Sequence, residues 1–161
     1  MQGPLREMMV RHAQEGRVVW IGLRPARRAA MRAVAEAEAG PGGLAGDHGR
    51  AGRRAVTLMQ AEHLAVIGAC LGRAPVAPEA LRRNLVVAGL NLAALNGWTV
   101  ALGGAVLRIT GVCAPCSRME EAFGPGGYNA VRGHGGWCAE IVSPGRIATG
   151  DPAAPRAPPE T

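Results

Sequence analysis

The stretch WTVALGGAVLRITGV, residues 98–112, decides how this chain folds. It closes an uncharged run from Leu85 to Leu107 that is long enough to cross a bilayer as a helix. Asn91, Asn96 and four glycines break that run. Within 98–112 the valines alternate with polar or small residues, a period of two. Gly103 and Gly104 sit where two such strands would turn back on each other. The run therefore reads as strands and turns, a hairpin across Gly103–Gly104, and no membrane span.

Working outward, similar short strands recur. GRVVWIGLRP (16–25) reads as a strand ended by Pro25, RRAVTLM (53–59) as a short strand and NLVVAGL (84–90) as another. WCAEIVSPGRIATGD (137–151) reads as strands joined by a Ser-Pro-Gly turn. Helices are expected in QAEHLAVIGACLG (60–72), closed by Gly72, and as a proline-started turn in APVAPEALRR (74–83). The alanine-rich ARRAAMRAVAEAEAG (26–40) also has the composition of a helix, with Gly40 as its stop. SRMEEAFG (117–124) predicts a short helix, with Ser117 and Glu120 as a capping box. NLAALNG (91–97) is a helical turn or loop, and GPGGLAGDHGRAG (40–52) a glycine-rich loop. The fold class is mainly β with inserted helices, an α+β barrel decorated by helices. Residues 1–16 form an N-terminal extension, 17–151 the domain, and 152–161 a loose proline-rich tail.

Composition narrows the function. The 161 residues suit one domain, and the aromatic content of 3% argues against base-stacking nucleic-acid modules. Net charge is +6, with 18 basic residues, all arginine. Without lysine the chain forms no internal Schiff base, so it is no lysine-anchored pyridoxal-phosphate enzyme. Guanidinium forks suit phosphate and carboxylate instead. The first residues lack the apolar core of a signal peptide, so the expected compartment is the cytoplasm and the four cysteines read as thiols.

Those cysteines carry three readings. Cys113, Cys116, His134 and Cys138 have the short paired spacing of a zinc site. Cys113-x-x-Cys116 loosely resembles a dithiol redox pair, although the helix begins only after the second cysteine. Cys116 alone, after Pro115 and before a helix start, is placed to be a single working thiolate, with Arg118 beside it. Cys138 lies in an alternating strand pattern and also reads as a small core residue. The arginines fall into groups at strand ends: Arg24, Arg27 and Arg28; Arg53 and Arg54; Arg82 and Arg83 with Asn84. Such groups can converge at one barrel mouth. His48 and His134 lie in glycine loops, and Asp47 either orients His48 or caps a turn.

Taken in order, WIGLRPARR, GDHGR, RAVTLMQAEHL, LRRNLVVAGLNL, TGVCAPCSRMEE, GHGGWCAEIV and GRIATGD resemble the MOSC family, named for the C-terminal domain of molybdenum cofactor sulfurases. The resemblance runs from Val18 to Asp151 and looks like a short stand-alone bacterial member. It implies a MOSC-type β-barrel and one recurrent cysteine after a strand, matched by Cys116. In members that bind molybdenum cofactor (molybdopterin) this cysteine ligates the metal, and an R-x-N motif, matched by Arg82 and Asn84, holds the pterin phosphate. Arg24 lies where phosphate is contacted after the first strand. Arg54 and His48 complete the candidate cofactor contacts. Some cofactor-bound relatives carry a serine two residues before the cysteine; Ala114 stands there, so a hydrogen bond near the metal is missing. Cys113 is not a general feature of the family.

The leading expectation is therefore molybdenum-cofactor binding through Cys116, serving reduction of N-hydroxylated small molecules with electrons from a separate reductase. The alternatives are a sulfur carrier, loaded on Cys116 by a cysteine desulfurase, and a zinc-stabilised binding module.

Overall fold

The computed structural model describes residues 3–160. Its centre is a closed barrel of seven strands. Going round, these are β11 (Pro152–Ala157), β7 (Thr99–Leu102), β8 (Ala105–Val112), β9 (Trp137–Ser143), β5 (Val56–Gln60), β6 (Leu85–Ala88) and β1 (Gly16–Leu23), with β1 returning to β11. A short β2 (Arg32–Val34) extends β1 outward. All these pairs are antiparallel except β5–β6. A parallel pair needs a crossover, supplied here by α2 (Ala61–Cys70) and α3 (Pro78–Leu81). A second sheet, β10 (Gly145–Ala148), β3 (Glu36–Gly40) and β4 (Gly43–Leu44), covers one side.

The decisive hairpin forms as the alternation requires. Thr99 faces Arg108 and Leu102 faces Ala105 across the Gly103–Gly104 turn. Val100, Leu102, Leu107 and Ile109 point inward and are essentially inaccessible. With Val18, Ile21, Leu58, Leu85, Val87 and Ile147 they fill the barrel. A smaller core lies outside the wall, where Met59 and Val86 of the strands meet Ile67 of α2, Leu81 of α3, Met119 of α4 (Ser117–Phe123) and Val131 of α5 (Gly127–Val131). Among the described residues no helix is long and apolar enough to cross a membrane.

Three local expectations are corrected. Residues 26–40 hold no long helix; they supply β2 and β3. Ala37 and Ala39 are buried while Glu36 and Glu38 are exposed, a period of two that pairing with β10 exploits over alanine's helix preference. The tail is not loose at its start. Pro152–Ala157 is the strand that closes the barrel, with Ala153 opposite both Leu102 and Gly16. Pro152 begins the strand, and Pro155 lies beyond the reach of β1, so neither proline removes a donor that the ladder needs on both sides. The domain thus includes β11, and α1 (Pro4–Met9) precedes it with no buried residue. Finally, Ser117 does not cap α4. Cys116 holds the N-cap position without a side-chain bond, and Glu120 Oε1 accepts from the Tyr128 N–H instead (3.0 Å).

Two glycines permit close backbone approach. A Cβ on Gly145 would stand 2.1 Å from the Gly104 carbonyl, where β10 crosses the hairpin tip. Gly136, at φ 96°, brings the start of β9 so near Leu58 that a Cβ would lie 2.3 Å from its carbonyl.

Candidate functional site

Three chain segments meet at one end of the barrel. Arg24 follows the end of β1, Asp47 and His48 lie in the loop after β4, and Arg82–Asn84 join α3 to β6. The loop between β8 and α4 brings Cys116, and the first turn of α4 brings Arg118, against them.

Asn84 lies at the bottom, fully inaccessible. Its Nδ2 donates to the Gly22 carbonyl (3.0 Å) and to Asp47 Oδ1 (3.1 Å). Its Oδ1 accepts from the Thr57 N–H (3.1 Å), the Thr57 hydroxyl (3.2 Å) and an Arg24 Nη2 (3.5 Å). One side chain thus ties β1, β5, the segment before β6 and the Asp47 loop together, and its hydrogen-bonding capacity is spent inside the protein.

Asp47 sits above it. Its Oδ1 accepts from Arg24 N (2.7 Å) and Nε (3.1 Å); its Oδ2 accepts from Arg24 Nη2 (3.0 Å) and Gly49 N (2.9 Å). Burial pushes the Asp47 carboxyl up, but the Arg24 guanidinium and the backbone donors outweigh it and hold the group below its ordinary value. Asp47 therefore clamps Arg24 and caps the turn at Gly49. His48 is fixed through its backbone, its N–H donating to the Arg24 carbonyl (2.8 Å).

The hollow above this floor has two connected parts. A narrower one of about 210 Å3 is lined by Arg24, His48, Arg82, Arg83, Cys116 and Arg118, among others. A wider mouth of about 710 Å3 adds Arg28 and Glu121, again with Arg27, Arg82, Cys116 and Arg118. Cys116 is exposed. Among the described residues, Arg24 alone of these arginines forms an ion pair, with Asp47. Arg82 is pushed below its usual value by burial and by the neighbouring Arg24 and Arg118 guanidiniums. Such crowding of like charge is relieved by an anion.

Backbone strain concentrates here as well. Arg28 (φ 66°) and Arg82 (φ 56°) are the non-glycine residues with left-handed backbone among those described. Both line the wider mouth. The Arg82 guanidinium holds its place by donating to the carbonyls of Ala29 and Ala26. Strained residues of this kind cost about 1 kcal/mol each and cluster where a side chain must be aimed.

Arg54 does not join this group. It lies with Arg53, Thr110, Ala114 and Cys138 in a separate hollow of about 410 Å3. β5 starts at Val56, so residues 53–54 lie before it, at the strand end opposite to Gln60 and α2. The four zinc candidates do not gather either. Cys113 and Cys138 are buried near each other across β8 and β9, while Cys116 opens into the arginine hollow. His134 packs edge-to-face on His63 at 5.1 Å between ring centroids. Among the described residues no three His, Cys, Asp or Glu side chains converge as metal ligands. Thr57 was missed in the sequence; Arg83, grouped there with Arg82 and Asn84, is buried, its Nε donating to the Gly135 carbonyl (2.7 Å). Arg83 stands next to the flagged Arg82, but nothing in the local pattern tells an enclosed arginine from an exposed one.

Comparison with known proteins now has a geometry to meet. A family model described as MOSC domain matches residues 43–154. Solved structures share the fold. The YuaD protein of Bacillus subtilis superposes with a TM-score of 0.76 at 18% identity, covering 87% of this chain and 94% of its own. YiiM of Geobacillus stearothermophilus gives 0.74 at 19%, covering 88% and 75%. YiiM of Escherichia coli gives 0.68 at 20%, covering 90% and 72%. A search of curated proteins found no match. With the model match spanning most of the barrel and the fold shared throughout, the chain belongs to the MOSC domain family.

Proposed function

We propose that this MOSC domain protein binds molybdenum cofactor through Cys116. The observation that carries the reading is the exposed thiol standing among arginines of which only Arg24 is neutralised by an acid among the described residues. The residues fit the group at both ends. A thiolate is a soft ligand suited to a soft metal centre, and guanidinium forks suit the phosphate of a pterin. Cys116 would be the protein ligand, and Arg82, Arg27 and Arg28 would take the anionic part.

Asn84 acts differently in this reading. With every donor and acceptor engaged internally, it positions Arg24 and Asp47 and leaves ligand contact to the arginines. His48, exposed at the rim, is placed to hold or deliver a proton to a substrate in the hollow. When bound, the cofactor would supply oxygen-atom removal from N-hydroxylated compounds, with electrons from a separate reductase.

The test is metal and pterin analysis of protein purified from cells that make the cofactor. One molybdenum and one pterin per chain, both absent from Cys116→Ala, is the expected result. A labile extra sulfur on Cys116 with no metal would replace this reading by the sulfur carrier. One zinc per chain, lost in Cys138→Ser, would replace it by the binding module.

A further inference from the structure

The second hollow, around Arg54, has no part in that function. Across β8 and β9, Gly111 faces Cys138, Val112 faces Trp137, and the Cys113 N–H donates to the Gly136 carbonyl (2.9 Å). Side chains alternate along a strand, so Cys113 and Cys138 project from the same face at diagonal positions. They are 5% and 4% exposed. Gly111, directly opposite Cys138, has no side chain to stand between the two cysteines. Diagonal neighbours lie about 7–8 Å apart, slightly beyond the roughly 4.4–6.8 Å between Cα atoms that a disulfide spans. β8 ends at Val112, and Cys113 just beyond it is held by the one bond to Gly136, so it can move toward Cys138 without breaking further strand pairs.

The surroundings are cationic. Arg54 lines the same hollow as Cys138, and Arg83, fixed on the Gly135 and Leu81 carbonyls, adds a second positive charge. Among the described residues no carboxylate lines this hollow. The neighbouring Cys113 and Arg54 groups outweigh burial and lower Cys138, while the neighbouring Cys138 and burial raise Cys113. The pair therefore has a built-in order, with Cys138 as the thiolate and Cys113 as the thiol.

We propose that Cys113 and Cys138 form a dithiol site, reached through the Arg53–Arg54 hollow, that reacts with small anionic disulfides and closes into a Cys113–Cys138 disulfide. The Cys138 thiolate attacks one sulfur of the small disulfide. Its S–S bond breaks, one thiolate leaves, and a mixed disulfide forms on Cys138. Cys113 then attacks Cys138 Sγ, and the second small thiolate leaves. The Cys113 proton ends on a released thiolate. The protein thiols are oxidised by two electrons, and the small disulfide is reduced to two thiols. A hollow of about 410 Å3 lined by two arginines and no acid suits a carboxylate-bearing molecule of tripeptide size.

The experiment uses the reduced full chain and oxidised glutathione, without oxygen, followed by alkylation and peptide mapping. A Cys113–Cys138 cross-link is expected in the wild type and equally in Cys116→Ala, whether or not any cofactor is bound. Cys113→Ser should stop at a glutathione adduct on Cys138, and Arg54→Gln should slow closure about tenfold through loss of the positive charge beside Cys138. Adducts confined to Cys116 and Cys70, or a Cys113–Cys116 cross-link, would overturn the proposal. Mapping of the wild type decides the matter even where a variant fails to fold.

Discussion

Two hollows on one barrel each pair sulfur with arginine, and they differ in what encloses the sulfur. Cys116 is exposed in a loop, with arginines drawn from three separate segments. Cys138 is buried in strand β9, diagonal to a second thiol and close to the guanidiniums of Arg54 and Arg83. The first arrangement leaves charge uncompensated and space open, which suits an external anion. The second satisfies its thiolate internally, which suits chemistry between the two sulfurs. A cysteine's neighbours, more than its presence, set what it can do.

The comparison breaks most sharply on metal content. Cys116→Ala should abolish cofactor binding, and Cys138→Ala should retain it; equal loss in both would erase the distinction between the hollows. Next in size is the floor of the first hollow. Asn84→Ala strips partners from Thr57 N, Gly22 O and Asp47, and should cost about 3 kcal/mol by denaturant unfolding.

Acid should sharpen the contrast. Asp47 titrates lower in the folded protein than its ordinary 3.8. The unfolded chain thus takes up the proton first as pH falls. The Asp47 contribution is complete above about pH 4–5, declines as pH falls through the folded-state value, and is absent below it. Urea midpoints of Asp47→Asn should accordingly show a weaker acid dependence than wild type, with the deficit largest near neutrality. Smallest is the effect of Arg28→Gly. Glycine tolerates the φ of 66° at this position, so stability should rise by up to about 1 kcal/mol while retention of an anionic ligand falls. A loss of stability instead would show that the Arg28 side chain, and not the ligand site, justifies the strained backbone.

The barrel was legible where alternation was strict. The 98–112 hairpin, the strands at 16–25 and 84–90 and the helix at 60–72 all lie close to where the pattern puts them. The pattern misled at 26–40, where alanine favours a helix locally but Ala37 and Ala39 pack as alternate residues of a strand. It misled again at 152–157, because prolines mark a loose tail unless barrel closure places them where no ladder bond is lost. Of the candidate site, Cys116, Arg24, Arg82 and His48 do meet, Asn84 lies beneath them, and Arg54 lies elsewhere.

Residue type and order by themselves determined the β-rich class, the arginine-only positive charge and the cysteine before a short helix, since these follow from local periodicity and composition. Tertiary structure alone decided which arginines surround Cys116, that Asn84 is enclosed, and that Cys113 lies diagonally across from Cys138. Those outcomes depend on strand register and barrel closure, which join residues far apart in the chain and leave no trace in any short window of sequence.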